Sequence, residues 1–150
     1  MRRVLALIAY AGLVGFVVAP TSVVARDRLL SVELDGRPLD ANSPSGLLHQ
    51  GKAFANVVRI VKSFSGLLTF GKNDSLVRVT IGAHTADFTV GSRRGAVDGQ
   101  ATTFSATPFV LNGDTYVPLD VVARLAGATL SVNTRRHVAQ LVSAPPSAQP

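Results

Sequence analysis

One pattern of glycines and apolar residues occurs twice along this chain, and it restricts the fold more than any other feature. The second copy reads Gly99, then Leu111-Asn112-Gly113-Asp114-Thr115-Tyr116-Val117-Pro118-Leu119, then Val122-Ala123-Arg124-Leu125-Ala126-Gly127, then Ala128-Thr129-Leu130-Ser131-Val132. The first is fainter: Gly36, Gly51-Lys52-Ala53-Phe54, an apolar-periodic run from Val57 to Phe64, Gly66, then Leu67-Leu68-Thr69-Phe70. Gly51 to Phe54 has the spacing of Gly113 to Tyr116, and Gly66 to Val77 has that of Gly127 to Val138. Between those anchors the two copies differ by one residue, inside the helical run. A matched pair of units predicts that each completes the other's core. The repeated positions are glycines and apolar residues rather than reactive groups, which points away from an enzyme.

The chain of 150 residues suits one small domain plus a targeting segment. Met1-Arg2-Arg3 is a short basic start, Val4 to Val18 is apolar, and Val23-Val24-Ala25 places small residues at the positions a signal peptidase reads. Residues 1–25 therefore read as a secretory signal peptide, cut before Arg26. The apolar stretch is about 15 residues, below the roughly 18–20 of a spanning helix, so an uncleaved anchor is the weaker alternative. After cleavage the net charge is about +4, enough for weak attraction to acidic polymers or anionic lipid heads. Nucleic acid is not indicated, since the arginines are scattered and aromatics are only 6% of the chain. There are no cysteines, so an exported domain of this size must be held by its core alone, and no lipid-modified cysteine can tether it.

Alternation of apolar and polar residues predicts a strand over 29–35, with Asp35-Gly36 as a turn. Val57, Val58, Val61 and Phe64 recur every three or four residues and predict an amphipathic helix ended by Gly66. Leu67–Phe70, Leu76–Ile81 and Thr85–Val90 read as strands. The second unit opens at Ala96-Val97-Asp98-Gly99 and continues through a strand near Phe109–Leu111, a turn at Asn112-Gly113, and Thr115–Val117. Pro118 sits at a helix start, Gly127 ends that helix, and strands Thr129–Val132 and His137–Val142 close the unit. Ser143 to Pro150 holds three prolines and no bulky apolar residue, and reads as a disordered tail. The expected fold is a single α+β domain over 26–142. It is built from two β-rich repeats, about 29–81 and 96–142, each an antiparallel sheet segment with one short helix.

The run Gly113-Asp114-Thr115-Tyr116-Val117-Pro118-Leu119, with Ala123 and Leu125-Ala126-Gly127-Ala128, resembles the copper amine oxidase N-terminal-like domain of exported bacterial proteins. The resemblance is strong over 96–142 and weak over 32–81. It implies an antiparallel sheet wrapped against helices, a stalk or binding role, and no copper chemistry, since that domain lies apart from the copper site. This chain departs from the family pattern at Asp120, where an arginine is usual. It also departs at Val132-Asn133, in place of tryptophan-aspartate, and at Ala55-Asn56, in place of valine-proline.

Reactive constellations are absent from the sequence. His49, His84 and His137 lie far apart, with no metal-ligand spacing among them, and each reads as a solvated surface histidine. Asp35, Asp98 and Asp114 adjoin glycine turns, where aspartate bonds nearby backbone N–H groups. No serine sits in a nucleophile elbow and no phosphate-binding loop occurs. No metal, cofactor or catalytic residue is expected. The suggestive surface feature is two arginine pairs in turns, Arg93-Arg94 and Arg135-Arg136, able to form a basic patch if their turns share an edge. The reading that follows is a non-catalytic binding or structural module of the bacterial envelope, secreted or periplasmic. Its partner would be an acidic cell-wall polymer or another envelope protein. The alternative is an accessory or regulator of a secreted cell-wall hydrolase, or a small secreted enzyme, and its mark would be a histidine with a partner, or two carboxylates, in one pocket.

Overall fold

In a computed structural model that describes residues 26–145, thirteen strands and two short helices follow one another. The first strands are β1 (Arg28–Leu34), β2 (Arg37–Pro38), β3 (Gly46–His49) and β4 (Lys52–Asn56), and the helix α1 (Val57–Ser63) comes next. Then come β5 (Leu67–Phe70), β6 (Leu76–Ile81), β7 (His84–Thr89), β8 (Arg94–Val97) and β9 (Gln100–Thr103). The chain continues with β10 (Phe109–Leu111), β11 (Asp114–Pro118), the helix α2 (Leu119–Leu125), β12 (Ala128–Asn133) and β13 (Val138–Ser143). The fold is mostly strand, with two sheets and the two helices. The larger sheet runs β10-β11-β4-β3-β1-β13-β12, with β2 beside β1, and the smaller runs β5-β6-β7-β8-β9.

Alternation decides which strand residues point inward. Leu30 and Val32 of β1 are buried, as are Val77, Val79 and Ile81 of β6, Ala86 and Phe88 of β7, and Ala139 and Leu141 of β13. Both helices touch both sheets: α1 meets β4 and β11 on one side and β5 and β6 on the other, and α2 meets β4, β11 and β12 as well as β7. Seven residues are too few for a helix to hold in water alone. In α2, Leu119, Val121, Val122, Ala123 and Leu125 are all buried. Each fully buried Val or Leu contributes about 1.5–3 kcal/mol, so packing rather than propensity holds the helix. Asn56 caps α1 by accepting from the Arg59 N–H at 3.3 Å. Pro118 stands one position before α2, as its cap, and offers no side-chain bond. Asp120, in the first turn, supplies the favourable charge there and accepts from Ser105 Oγ at 2.9 Å.

Several expectations need correction. The second unit does not open at Ala96: β8 pairs with β7, so residues 94–103 complete the smaller sheet begun by β5. Each apolar run is a hairpin, a helix and a further hairpin, but β5–β6 joins the smaller sheet and β12–β13 the larger. The sheets are not wholly antiparallel, because β1 and β13 pair in parallel, Ser31 beside Val138 through Leu34 beside Leu141. Nor does the tail begin at Ser143, the last residue of β13. Asp35 accepts from its N–H at 2.9 Å and from its hydroxyl at 2.8 Å. The signal peptide assigned to 1–25 and the rest of the tail, 146–150, lie outside the described residues.

The two helix ends differ in a way that the pattern hid. Gly127 has φ +64 and open space around it, as a left-handed helix end demands. At the end of α1 the left-handed residue is Ser65, with φ 53. Gly66 is needed for close approach instead: a Cβ there would stand 2.5 Å from the Thr80 carbonyl oxygen and 3.0 Å from Val61 Cγ1. Gly127→Ala should cost about 1 kcal/mol through backbone strain, whereas Gly66→Ala must push β6 away from α1 and should cost about 1–3 kcal/mol more. Thermal denaturation of both variants checks this; a smaller loss for Gly66→Ala would contradict it.

Asp35 fastens the C-terminal strand to the first hairpin turn. Its carboxyl is held below the ordinary 3.8, first by the Ser143 backbone N–H and then by the Ser143 hydroxyl. A depressed folded value means stability that is present above 3.8 and lost as pH falls through the lower folded value. Asparagine keeps the turn geometry but not the charge. Melting curves from pH 7 down to pH 2 should show the wild-type advantage over Asp35→Asn shrinking once pH drops below 3.8; a gap independent of pH would contradict it.

Candidate functional site

The tip of the β3–β4 hairpin, Gln50-Gly51, carries a groove on each side. Both tip residues have positive φ, 49° and 76°, which makes the tight two-residue turn. The larger groove, of about 520 Å³, lies between this hairpin and the connection from β9 to β10. His49, Lys52 and Phe54 form one side, and Gly91, Arg93 and residues 105–110 the other. The far wall is held by its own backbone. The Phe104 N–H donates to the Arg93 carbonyl at 2.7 Å, Arg93 Nε donates to the Phe104 carbonyl at 2.8 Å, and the Gly91 N–H donates to the Pro108 carbonyl at 2.9 Å.

Pairing of β4 with β11 and of β10 with β11 brings distant aromatic residues together. The Phe54 and Phe109 rings meet edge to face at 4.8 Å, His49 lies 4.5 Å from Phe109, and Phe109 stacks on Tyr116 at 5.4 Å. Leu47, Phe54, Ala106 and Tyr116 are buried beneath, a small cluster separate from the main core. His49 Nδ1 donates to Asp27 Oδ1 at 2.6 Å, with the imidazole side chain 28% exposed. The carboxylate can only accept here, so the bond fixes the Nδ1–H tautomer and orients the ring along the groove.

His49 is thus not the free surface histidine expected from its neighbours. It ends β3, pairs with a residue near the chain's first strand and joins an aromatic cluster built from β4 and β10. Short-range sequence carries no trace of this, because Asp27, His49 and Phe109 come together only through sheet pairing. The other histidines serve the frame. Arg28 Nη1 donates to His137 Nε2 at 3.0 Å, and His84 Nδ1 donates to Asp98 Oδ2 at 2.9 Å. The Asp98 carboxyl is held low, first by the Thr85 backbone N–H and then by His84. Asp35 and Asp98 therefore tie across strands, not within their own turns as expected, and among the described residues the Asp114 side chain makes neither kind of bond.

The four arginines singled out from the sequence do not gather in one groove. Arg93 lines the larger groove, and Arg94 begins β8, its N–H bonded to Ser92 Oγ at 3.1 Å. Arg135 and Arg136 lie in the β12–β13 turn, where both backbone N–H groups donate to Asn133 Oδ1. Their neighbour Thr134 lines the smaller groove, about 230 Å³, with Arg26, Arg28 and Gly51. Among the described residues no three histidines, cysteines or carboxylates converge as a metal site. No helix among them is long and apolar enough to cross a membrane.

For catalysis the groove offers a histidine–carboxylate pair but no activated nucleophile. Ser105 lines it, yet its hydroxyl donates to Asp120 rather than to His49. What the walls offer is surface: aromatic rings beside two cations, Lys52 and Arg93. Fold and groove together define a β-rich module with a surface cleft. Residues 33–140 match the copper amine oxidase N-terminal domain, and the chain belongs to that family. This domain is a non-catalytic type of module. No curated protein and no solved structure matches the chain.

Proposed function

We propose that this protein is an exported, non-catalytic binding or structural module of the bacterial cell envelope, made of one domain over 26–142. The observation that carries the reading is the family match over 33–140, which covers most of the chain with a module type that does no chemistry of its own. Two features support it. Met1 to Ala25 has the order of a cleaved export signal. Several polar side chains of reactive type are spent on the frame: Asp35 on Ser143, Asp98 on Thr85 and His84, and Ser105 on Asp120. The partner in this reading is an acidic wall polymer or another envelope protein, attracted by a net charge of about +4. The hairpin–helix–hairpin series, which occurs at 46–81 and again at 109–143, supports the further reading that one unit was duplicated and its halves then diverged in sheet membership.

One observation favours the alternative, a small secreted enzyme. The Asp27–His49 pair stands beside an open groove, as a general base and its orienting carboxylate would. The missing nucleophile weighs against it.

Expression of the full chain in a bacterial host, followed by fractionation and mass spectrometry, tests the proposal. The exported fraction should hold a protein beginning at Arg26. It should sediment with purified cell-wall material and be released as salt screens its charges. A product that keeps Met1 and stays in the cytosol would overturn the reading. Hydrolysis of wall material that disappears in His49→Ala would establish the enzyme instead.

A further inference from the structure

We propose that the groove beside the β3–β4 tip is a binding site for an anionic saccharide: a sugar ring packs on His49 and Phe109, which Phe54 backs from below, while its carboxylate meets Lys52 and Arg93. This rests on the envelope-module reading for the source of the ligand. It deepens that reading by moving the contact from exposed turns into one cleft.

Chemistry, size and backbone all bear on the ligand. His49 and Phe109 are aromatic and partly open, and a ring with an apolar face gains there by leaving water. Lys52 has no acceptor among the described residues, and Arg93 uses only Nε, which leaves its two terminal nitrogens for a carboxylate. A purely apolar ligand would strip water from both cations without return. The volume, about 520 Å³, lies within the range of small-molecule sites and suits a short run of sugar residues. An added peptide strand would find only the short three-residue edge of β10 on the far wall, since the Phe104 N–H, the Phe104 carbonyl and the Pro108 carbonyl are already bonded and Pro108 has no N–H. The Asp27 bond contributes by holding His49 in the wall, so the surface is formed before a ligand arrives.

Calorimetric titration of the purified full-length exported protein with trigalacturonate, with the neutral galactose trimer of the same linkage and with polyglutamate tests the proposal. Trigalacturonate should bind about tenfold tighter than the neutral trimer, and polyglutamate should bind no better than the neutral trimer. Lys52→Gln and Phe109→Ala should each weaken trigalacturonate about fivefold or more, while the double change Arg135→Gln/Arg136→Gln should leave it within about twofold. Lys52 is exposed, so its variant should melt as the wild type does, which separates lost binding from lost folding. Equal binding of charged and neutral trimers, polyglutamate matching trigalacturonate, or no binding of any probe would overturn the groove assignment. So would a loss in the Arg135/Arg136 variant with none in Lys52→Gln, which would place an acidic polymer on the turns and leave the envelope reading standing. That reading is judged separately, by export and wall sedimentation.

Discussion

The burial of two seven-residue helices against both sheets is the constraint on which the rest of this structure depends. Neither helix could persist alone, and each sheet has one apolar face to cover while its other face meets water. Val57, Ile60 and Val61 of α1 and the five buried residues of α2 close the gap, so one continuous core runs from Leu30 and Leu141 in the larger sheet to Val79 and Phe88 in the smaller. The close fit explains the glycine after α1, since Gly66 lets the helix end lie against the Thr80 carbonyl. It also explains how a chain without disulfides holds a β-rich fold.

Much of this was legible in the sequence because the local signals were strong. Alternation marked the strand over 29–35 as having one buried face, the three-and-four spacing marked α1, and Asn112-Gly113 marked a turn. The family resemblance rested on the same residues around α2 and holds over 33–140. What the sequence hid is nonlocal. Whether residues 94–103 pair with β7 or with a strand of the second unit depends on sheet order, which spacing does not encode. The parallel pairing of β1 with β13 joins opposite ends of the chain, and no turn between them sets its register. Ser143 looked like tail because its neighbours are small and polar. Its place in β13 comes from Asp35, far away in sequence.

The groove follows the same logic. Its walls come from β3, β4, the loop at 90–93 and the segment 105–110, and none of these reads as a site by itself. Arg93 was noticed for its charge, but its position depends on a bond to the Phe104 carbonyl. His49 was set aside because it has no histidine nearby in sequence, while its partner is Asp27. The recurrent glycines and apolar residues build the frame. The residues that distinguish the cleft lie outside the main core: His49 and Lys52 flank the hairpin tip, Arg93 lies in the loop before β8, and Phe109 begins β10.

Native-state hydrogen exchange tests most directly whether the two sheets share one helix-filled core. If they do, the slowest amides of β1 and β13 and those of β6 and β7 should exchange through a single global opening, with the same free energy and the same dependence on denaturant. Exchange of the β6 and β7 amides at distinctly lower free energy, with a smaller denaturant slope, would show that the smaller sheet opens alone and would contradict the account.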